Sequence, residues 1–404
     1  MNKNINVYSE IGDLKKVIIH RPGAEIKNFG PEHMGDLLFD ELPFLDAAIE
    51  EHNYFAKVLQ DNGCEVYYLE DLAAESIIND EVKADFIKEF LDHAHIQVKR
   101  EKEFLKDLLM ELSPRDLVFK MMEGTKKNEI PKYDMTYLHE ILDADNFFVT
   151  KPMPNLYFTR DPFSLVGHSV GLFNMWSETR KREGIFGKYI FKYHKDFKIE
   201  GDEMLYTMDM PSSIEGGDIL TLSREVIAIG TSQRTGAIAI EEFAKRVLKR
   251  TDFKKVLVFS IPKKRAFMHL DTVFTMVDRD LFTLHPEVER SFSVYEITLK
   301  DGKLHAEEET GKIEEILKKH LHIDKVDIIR QGAGGLLDAS REQWSDGYNT
   351  LAVKPREAIV YDRNVVTNQI LESYGVKLHV IKSGELSRGR GGPRCMSMPV
   401  YRED

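Results

Sequence analysis

The fold is decided by one stretch near the middle of the chain, Asp218-Ile219-Leu220-Thr221-Leu222-Ser223-Arg224-Glu225-Val226-Ile227-Ala228-Ile229-Gly230. Two apolar runs flank a short polar segment, which predicts a strand, a tight turn and a second strand. Apolar residues at helical spacing follow in residues 237–250, and Lys255-Val256-Leu257-Val258-Phe259 predicts a further strand. The order is therefore strand, strand, helix, strand.

The same order recurs near the end of the chain and, less completely, elsewhere. Strand, strand, helix and strand are predicted for residues 349–353, 358–361, 366–374 and 377–381, with a turn at Pro355-Arg356-Glu357. Another strand pair is predicted for residues 271–284, and a degenerate strand–helix–strand unit for residues 15–20, 41–63 and 64–69. Such repeats can be arranged around an axis as propeller blades are, although a doubly wound sheet fits the pattern alone as well.

Residues 71–145 differ from the rest of the chain. They are dense in Glu, Lys, Asp, Leu and Ile and have no strand pattern. Residues 81–95 and 100–112 fit amphipathic helices, and we interpret the charge runs as solvated helix faces. We therefore expect a helical insertion domain within a catalytic domain formed by residues 1–70 and 146–404.

Composition excludes several classes of protein. The 404 residues carry a formal net charge of -12 and no basic patch, so no nucleic-acid partner is expected. No apolar run approaches the roughly 18 residues that a membrane span requires, and the first residues do not resemble a signal peptide. The two cysteines, Cys64 and Cys395, fit a reducing compartment. These features together predict a cytoplasmic protein.

Four short polar stretches lie in or beside predicted strands, where active sites are usually built. Asn155-Leu156-Tyr157-Phe158-Thr159-Arg160-Asp161-Pro162 ends an apolar strand on adjacent charges, which by itself also fits a surface ion pair at a turn. Glu215-Gly216-Gly217-Asp218 places two glycines between two carboxylates. The glycines allow the backbone to approach another group closely, and a solvated hairpin turn is the alternative.

The third stretch, Phe267-Met268-His269-Leu270-Asp271-Thr272-Val273-Phe274, carries a histidine and an aspartate two residues apart. On a strand both side chains would point to the same face, which predicts the polar wall of a cavity. A lone buried histidine is more often structural. A zinc site is disfavoured because no cluster of Cys or His completes a ligand set.

The fourth stretch, Ser387-Arg388-Gly389-Arg390-Gly391-Gly392-Pro393-Arg394-Cys395-Met396-Ser397-Met398-Pro399, is a glycine-rich loop with three arginines beside one cysteine. Nearby positive charge lowers the pKa of a thiol, so we expect Cys395 to be an activated nucleophile. A loop of this composition can also bind phosphate or RNA, but this one lacks interleaved aromatic residues. Cys64, on an apolar strand, is expected to be buried and inert.

Together the stretches supply one thiol, one histidine and four carboxylates, those of Asp161, Glu215, Asp218 and Asp271. A Cys–His pair needs only one orienting acid. Surplus carboxylates raise the pKa of a nearby thiol unless a cation lies among them. A guanidinium is such a cation, and its N–H groups favour bidentate pairing with carboxylates. The combination predicts chemistry on a guanidinium group.

These four stretches together resemble those of bacterial arginine deiminases, and the resemblance covers the whole chain in order, including the helical insertion. It implies an α/β fold, a five-bladed pseudo-symmetric α/β-propeller of β-β-α-β units with an inserted helical domain. It implies hydrolysis of free L-arginine to L-citrulline and ammonia through an amidino-cysteine intermediate, without a metal or an organic cofactor. It also implies a homo-oligomer.

The resemblance assigns a role to each site residue. Cys395 would attack the guanidinium carbon, His269 would transfer protons, Glu215 would orient His269, and Asp161 and Asp271 would clamp the guanidinium. The rest of the substrate would be bound by Arg180, Arg234, Arg390 and Asn155 at the α-carboxylate and by Phe158 at the aliphatic stem. Asp218 would pair with Arg390 or with the α-amino group. The loop of residues 23–35 is a candidate lid.

Three alternatives remain. One is a related guanidino-modifying hydrolase, such as agmatine deiminase or dimethylarginine hydrolase; agmatine lacks a carboxylate, so the three arginines would have no role. Another is a non-catalytic arginine-binding protein of the same fold, which has no use for a nucleophile. The last is a cysteine hydrolase acting on peptides, whose neutral amide does not need surplus carboxylates.

Overall fold

The computed structural model describes residues 2–330 and 335–404 and has a mixed α/β fold. The strands are β1 (Asp13–Ile19), β2 (Glu65–Tyr68), β3 (Thr125–Lys126), β4 (Phe148–Thr150), β5 (Phe163–Val166), β6 (Ser169–Leu172), β7 (Met204–Tyr206), β8 (Ile219–Thr221), β9 (Val226–Thr231), β10 (Lys255–Ser260), β11 (Phe274–Asp278), β12 (Leu281–Leu284), β13 (Ser293–Lys300), β14 (Lys303–Glu309), β15 (Asp327–Ile329), β16 (Leu351–Lys354), β17 (Glu357–Tyr361), β18 (Lys377–Ile381) and β19 (Met398–Glu403). The helices are α1 (Ala24–Lys27), α2 (Leu45–Asp61), α3 (Leu69–Glu75), α4 (Asp80–His93), α5 (Lys99–Glu111), α6 (Pro114–Glu123), α7 (Leu138–Asp143), α8 (Glu183–Tyr193), α9 (Ala237–Arg250), α10 (Pro286–Glu289), α11 (Ile313–Leu321), α12 (Leu336–Trp344) and α13 (Val365–Ser373).

Five sheets of the described chain share one topology. In each, a first strand pairs antiparallel with a second, and the second pairs in parallel with a third that follows a helix. We number these units in chain order of their first strands: unit 1 is β5–β6–α8–β7, unit 2 is β8–β9–α9–β10, unit 3 is β11–β12–α11–β15, unit 4 is β16–β17–α13–β18 and unit 5 is β19–β1–α2–β2. The predicted repeat is therefore confirmed, and unit 5 joins the two ends of the chain. The hairpin β13–β14 extends the sheet of unit 2.

Unit 2 illustrates why these sequences form these elements. Strand β9 reads Val-Ile-Ala-Ile-Gly-Thr and is buried over its first five residues, as expected for a strand that is covered on both faces. Helix α9 buries Ala239, Ile240, Phe243, Ala244 and Val247, which recur at the spacing of one helix face. That face packs in the same apolar cluster as Ile227 and Ile229 of β9.

The helical segment lies between β2 and β4, and its two predicted helices are observed as α4 and α5. Helices α3 and α4 pack on α8 of unit 1, where the ring of Phe86 lies 5.8 Å from that of Phe186 and 4.5 Å from that of Tyr189. One apolar cluster is continuous across these helices and unit 1. Over residues 2–330 and 335–404, no helix is both long and apolar enough to cross a membrane.

The polar stretches lie in or beside strands, as predicted, but His269 and Asp271 lie at a turn and not on a strand, and that part of the prediction is wrong. Pro154–Tyr157, Gly216–Asp218 and Leu270–Thr272 form short 3-10 turns that come just before β5, β8 and β11. Pro154 begins its turn, where its fixed backbone angle is favourable. In the third stretch the Thr272 hydroxyl donates to the His269 carbonyl at 2.7 Å, which favours a turn over a strand. Each stretch thus lies at the start of a unit.

Candidate active site

Eight of the predicted residues line one small cavity. They are Asn155, Phe158, Asp161, Arg180, Arg234, His269, Arg390 and Cys395, accompanied by Leu38, Met268 and Gly389. The cavity volume of about 20 Å³ has room for roughly one water molecule. Glu215, Asp218 and Asp271 are buried directly behind this wall. Larger cavities of about 450 and 830 Å³ are lined by none of the predicted residues.

The nucleophile candidate Cys395 is held by its backbone and faces a carboxylate. Its N–H donates to Asn349 Oδ1 at 2.9 Å, and its carbonyl accepts the N–H of Arg160 at 3.2 Å. Its Sγ donates to Asp271 Oδ2 at 3.6 Å. The side chain is 4% exposed, so the sulfur is reached only through the cavity.

The expectation of a lowered thiol pKa is wrong. Burial, together with the charges of Asp271, Asp161 and Asp346, raises the pKa of Cys395 well above its ordinary value, and Arg394 opposes this only in part. Arg388 instead pairs with Glu385 at 2.9 Å, and the Arg390 guanidinium lies 3.5 Å from the centre of the Trp344 ring. The burial expected for Cys64 is confirmed, and burial raises the pKa of Cys64 to about 12.

The histidine and its orienting acid form a short hydrogen bond. His269 Nε2 lies 2.7 Å from Glu215 Oε2, and its Nδ1 lies 3.8 Å from Asp161 Oδ1. Burial disfavours the imidazolium, but Asp161, Glu215 and Asp218 outweigh it and raise the pKa of His269 to about 9. Arg234 and His269 outweigh burial in the same way and lower the pKa of Glu215 to about 2. Both shifts favour an imidazolium–carboxylate pair.

Two carboxylates each use only one oxygen in hydrogen bonds within the part of the chain that the structure describes. Asp161 Oδ2 accepts from Arg180 at 2.7 Å, and Asp271 Oδ2 accepts from Arg394 at 2.7 Å. Their Oδ1 atoms are buried and have no hydrogen-bond partner among the residues that the structure describes. Buried acceptors without donors are unfavourable, so both positions favour a ligand that carries N–H groups.

The three arginines predicted to bind the α-carboxylate all line the cavity, and each is held by different partners. Arg180 is bound by Asp161 and by Glu183, to which its Nε donates at 3.0 Å. Arg234 Nη1 lies 3.7 Å from Glu215, and the Arg234 guanidinium lies 4.8 Å from the centre of the Trp176 ring. Arg390 has a left-handed backbone (φ 65°) and lies 3.7 Å from Asp40.

The remaining predicted residues support the wall. Asn155 Nδ2 donates to the Leu37 carbonyl at 2.8 Å, and Phe158 packs on Tyr157 with ring centres 4.0 Å apart. Asp218 Oδ1 accepts from the Leu270 N–H at 2.8 Å and Oδ2 accepts from the Ser232 hydroxyl at 2.6 Å, so Asp218 joins the segment that carries His269 to the loop after β9. Burial raises the pKa of Asp218 to about 7.

The predicted close approach of the Glu-Gly-Gly-Asp backbone is confirmed. A Cβ placed on Gly217 would lie 2.6 Å from His269 Nδ1. The cavity is also lined by Leu38. This residue lies three residues beyond residues 23–35, the loop that the sequence suggested as a lid.

Three residues of this region were not predicted. Arg394 donates to Asp271 and, through Nε and Nη2, to both oxygens of Glu10 at 3.0 and 3.1 Å. Asn349 links Cys395 to the Asp271 carbonyl, to which its Nδ2 donates at 3.2 Å. Arg394 lies within the fourth stretch, but Glu10 and Asn349 lie in segments without a motif.

Asp161, Glu215 and His269 bring possible metal ligands within 4.8 Å of one another. The 2.7 Å between His269 Nε2 and Glu215 Oε2 is a hydrogen bond, and it is shorter than the roughly 3.3 Å that separates two ligands of a tetrahedral zinc ion at about 2 Å each. The group is better suited to proton transfer.

The sequence of this chain is similar to those of known arginine deiminases. A family model described as arginine deiminase matches residues 35–402. An arginine deiminase of Streptococcus sanguinis (strain SK36) is 49% identical over 404 residues, which covers 99% of this chain and 98% of the relative.

Solved structures of lower identity share the fold. An amidinotransferase from Microseira wollei has 13% identity and a TM-score of 0.56, and covers 99% of this chain and 98% of its own. The N-terminal domain of a cyanobacterial arginine dihydrolase has 12% identity and a TM-score of 0.54, with 96% and 97% covered.

Proposed function

The chain belongs to the arginine deiminase family, and from this premise we propose that it hydrolyses free L-arginine to L-citrulline and ammonia. The observation that carries the proposal is a pair of buried oxygens, Asp161 Oδ1 and Asp271 Oδ1, that have no hydrogen-bond partner among the described residues; their carboxylates contact His269 and Cys395. A guanidinium offers N–H donors on several edges, and its fixed charge compensates the carboxylates.

The charge of the substrate would also activate the thiol. Burial and the carboxylates of Asp271 and Asp161 raise the pKa of Cys395 and favour its protonated form, and a cation among the carboxylates would lower that pKa. The Sγ–H already points to Asp271 Oδ2, the acceptor for the proton that must leave. Activation would therefore depend on a cationic substrate.

The reaction proceeds in two halves. Cys395 Sγ attacks the guanidinium carbon, and the protonated His269 gives its proton to the departing nitrogen, which leaves as ammonia. An amidino-cysteine remains. His269 then takes a proton from a water that attacks the same carbon, and cleavage of the C–S bond releases citrulline. One acid–base group serves both halves, and Glu215 keeps its ring in place.

The arginines of the cavity support an α-amino acid as substrate. Arg180, Arg234 and Arg390 line the cavity, and Arg390 Nε and Nη1 and Arg234 Nε have no hydrogen-bond partner among the described residues. Charge-assisted hydrogen bonds contribute roughly 1.5–3 kcal/mol each. Since the cavity is too small for arginine, we propose that the Leu38 segment moves on binding, rather than residues 23–35 alone.

The test is citrulline release from L-arginine by the purified protein and by Cys395→Ser, with agmatine as a second substrate. We expect citrulline from the wild type, a loss of at least about 10³-fold in the variant, and weaker turnover of agmatine, which lacks the carboxylate. Turnover of agmatine faster than arginine would reject the assignment of the arginines. A folded wild type that releases no citrulline would reject the proposal.

For the fold, we propose that the five units are arranged as a five-bladed α/β-propeller. Contacts between successive units support a ring: β7 with α9, β8 and β9 with the turn Leu270–Thr272, β11 with β16, β16 with β1, and β19 with β5. The same proposal treats residues 71–145 as a helical insertion domain between unit 5 and unit 1, and residues 1–70 and 146–404 as the catalytic domain.

We also propose a cytoplasmic homo-oligomer. The two free cysteines support a reducing compartment. Exposed apolar side chains on and beside α7, those of Tyr137, Leu138, Ile141 and Leu142, support an interface between copies.

A further inference from the structure

Each unit places polar groups within the three residues just before its first strand. Asp161 comes two residues before β5, Asp218 immediately before β8, Asp271 three residues before β11 and Cys395 three residues before β19. In unit 4 the residue two positions before β16 is Asn349, to which no role has been assigned. The repeat therefore points to Asn349 as the contribution of unit 4.

The contacts of Asn349 agree with its position. It is fully buried, and its Oδ1 accepts the Cys395 N–H at 2.9 Å while its Nδ2 donates to the Asp271 carbonyl at 3.2 Å. Its own carbonyl accepts the Arg394 N–H at 3.3 Å. A Cβ on Gly392 would lie 2.7 Å from this carbonyl, so the glycine permits the close approach.

We propose that Asn349 is a positioning residue that holds the nucleophile loop against the Asp271 segment and so sets the line of attack of Sγ on the guanidinium carbon. Asn349 hydrogen-bonds the backbone of Cys395 and the backbone of Asp271, and it does not touch substrate. The 3.6 Å between Sγ and Asp271 Oδ2 depends on this link, because both residues are joined through one amide group. The inference rests on the proposed reaction.

The first variant removes the link. In Asn349→Ala we expect kcat for arginine to fall about 10²-fold, the effect of misplacing a reacting group by roughly 1 Å, with KM little changed because the carboxylate contacts are elsewhere. The matched control is Asn368→Ala, which removes another buried amide that donates to a backbone carbonyl, that of Tyr361 at 2.9 Å. The control should lose stability without losing kcat. An equal loss of kcat in both would overturn the proposal.

The second variant, Asn349→Asp, keeps the shape of the side chain. Protonated aspartic acid has one donor and one acceptor, as the asparagine does, whereas ionised aspartate is acceptor only. Activity of Asn349→Asp relative to wild type should therefore rise as the pH is lowered from about 8 to about 5, because burial keeps an aspartate protonated above its usual pKa of about 3.9. A residue that merely stabilises the fold would give no such recovery, and a constant ratio across this range counts against the proposal.

A third readout does not need arginine turnover. We would measure alkylation of Cys395 by 2-chloroacetamidine, a cationic amidine from which Sγ displaces chloride. Asn349→Ala should react roughly tenfold or more slowly than wild type, and equal rates would overturn the proposal. If the wild type releases no citrulline, the proposed function fails, yet this comparison still decides the role of Asn349.

Discussion

At the scale of single residues, the site is governed by charges buried together. Burial alone would favour the neutral ring of His269, but the charges of Asp161, Glu215 and Asp218 raise its pKa to about 9. Asp161 also acts on Cys395, because burial together with the charges of Asp271, Asp161 and Asp346 raises the pKa of that thiol and opposes a thiolate. A cationic substrate resolves this conflict, since it lowers the thiol pKa only when it is bound.

The pH profile tests this balance. Because His269 must be protonated to donate, kcat/KM should fall as the pH rises through about 9. Glu215→Gln removes a charge that raises the pKa of His269, so the alkaline limb should move to lower pH by about one unit or more. The measurement is kcat/KM for arginine between about pH 6 and 10, in which titration of the substrate affects both proteins equally.

A matched control is Glu70→Gln. Glu70 is also buried and also contacts a histidine ring, that of His20 at 2.6 Å, but neither residue lines the cavity. We expect it to leave the alkaline limb where it is. A Glu215→Gln profile that coincides with the wild-type profile would contradict the assignment of that limb to His269.

At the scale of elements, the short turns that precede the first strands carry the site. The turn Gly216–Asp218 has Glu215 on one side and packs its backbone against His269. In Gly217→Ala the new Cβ would lie 2.6 Å from His269 Nδ1. The His269 ring would therefore have to leave the position in which its hydrogen bond with Glu215 holds it. We expect a loss of about 10²-fold in kcat, measured by citrulline release.

The control for that variant is Gly201→Ala, where a Cβ meets nothing within 4 Å. It should retain full kcat. A normal kcat in Gly217→Ala would indicate that the position of His269 is not fixed by this turn.

These turns also explain which parts of the structure the sequence could predict. Regular periodicity predicted α9 and β18 with their observed bounds, and the other strands and helices of units 2 and 4 to within a few residues. His269 and Asp271 were expected on one face of a strand, but the turn directs His269 toward Glu215 and Asp271 toward Arg394. The structure brings both residues to the cavity region, but the expected geometry was wrong, because hydrogen bonds local to a turn leave little trace in periodicity.

At the scale of the whole molecule, residues distant in the chain could not be paired from sequence. Asn349 carries no charge and lies in no polar stretch, and only its place before the first strand of unit 4 distinguishes it. Glu10 lies 384 residues from Arg394, yet the two form a buried ion pair. Contacts of this kind follow from the way unit 5 joins both ends of the chain, which periodicity does not encode.

The Glu10–Arg394 pair gives a prediction for the stability of the whole chain. Glu10 also accepts the N–H of Thr221 in β8, so it joins the N-terminal segment, unit 2 and the nucleophile loop. Burial opposes its charge, but Arg394, Arg160 and Arg402 outweigh burial and lower the pKa of Glu10 from 4.5 to about 2. A shift of this size corresponds to roughly 3 kcal/mol.

Because the folded-state pKa is the lower one, this stabilisation is complete above a pH of about 4.5 and is lost as the pH falls toward 2. Glu10→Gln should therefore lower the free energy of unfolding by up to roughly 3 kcal/mol at pH 7 and by much less near pH 3. Urea unfolding of both proteins across this range measures the difference, and comparison at each pH removes the contribution of the other carboxylates. A difference that stays constant with pH would mean that Glu10 stabilises the fold by packing and not by its charge.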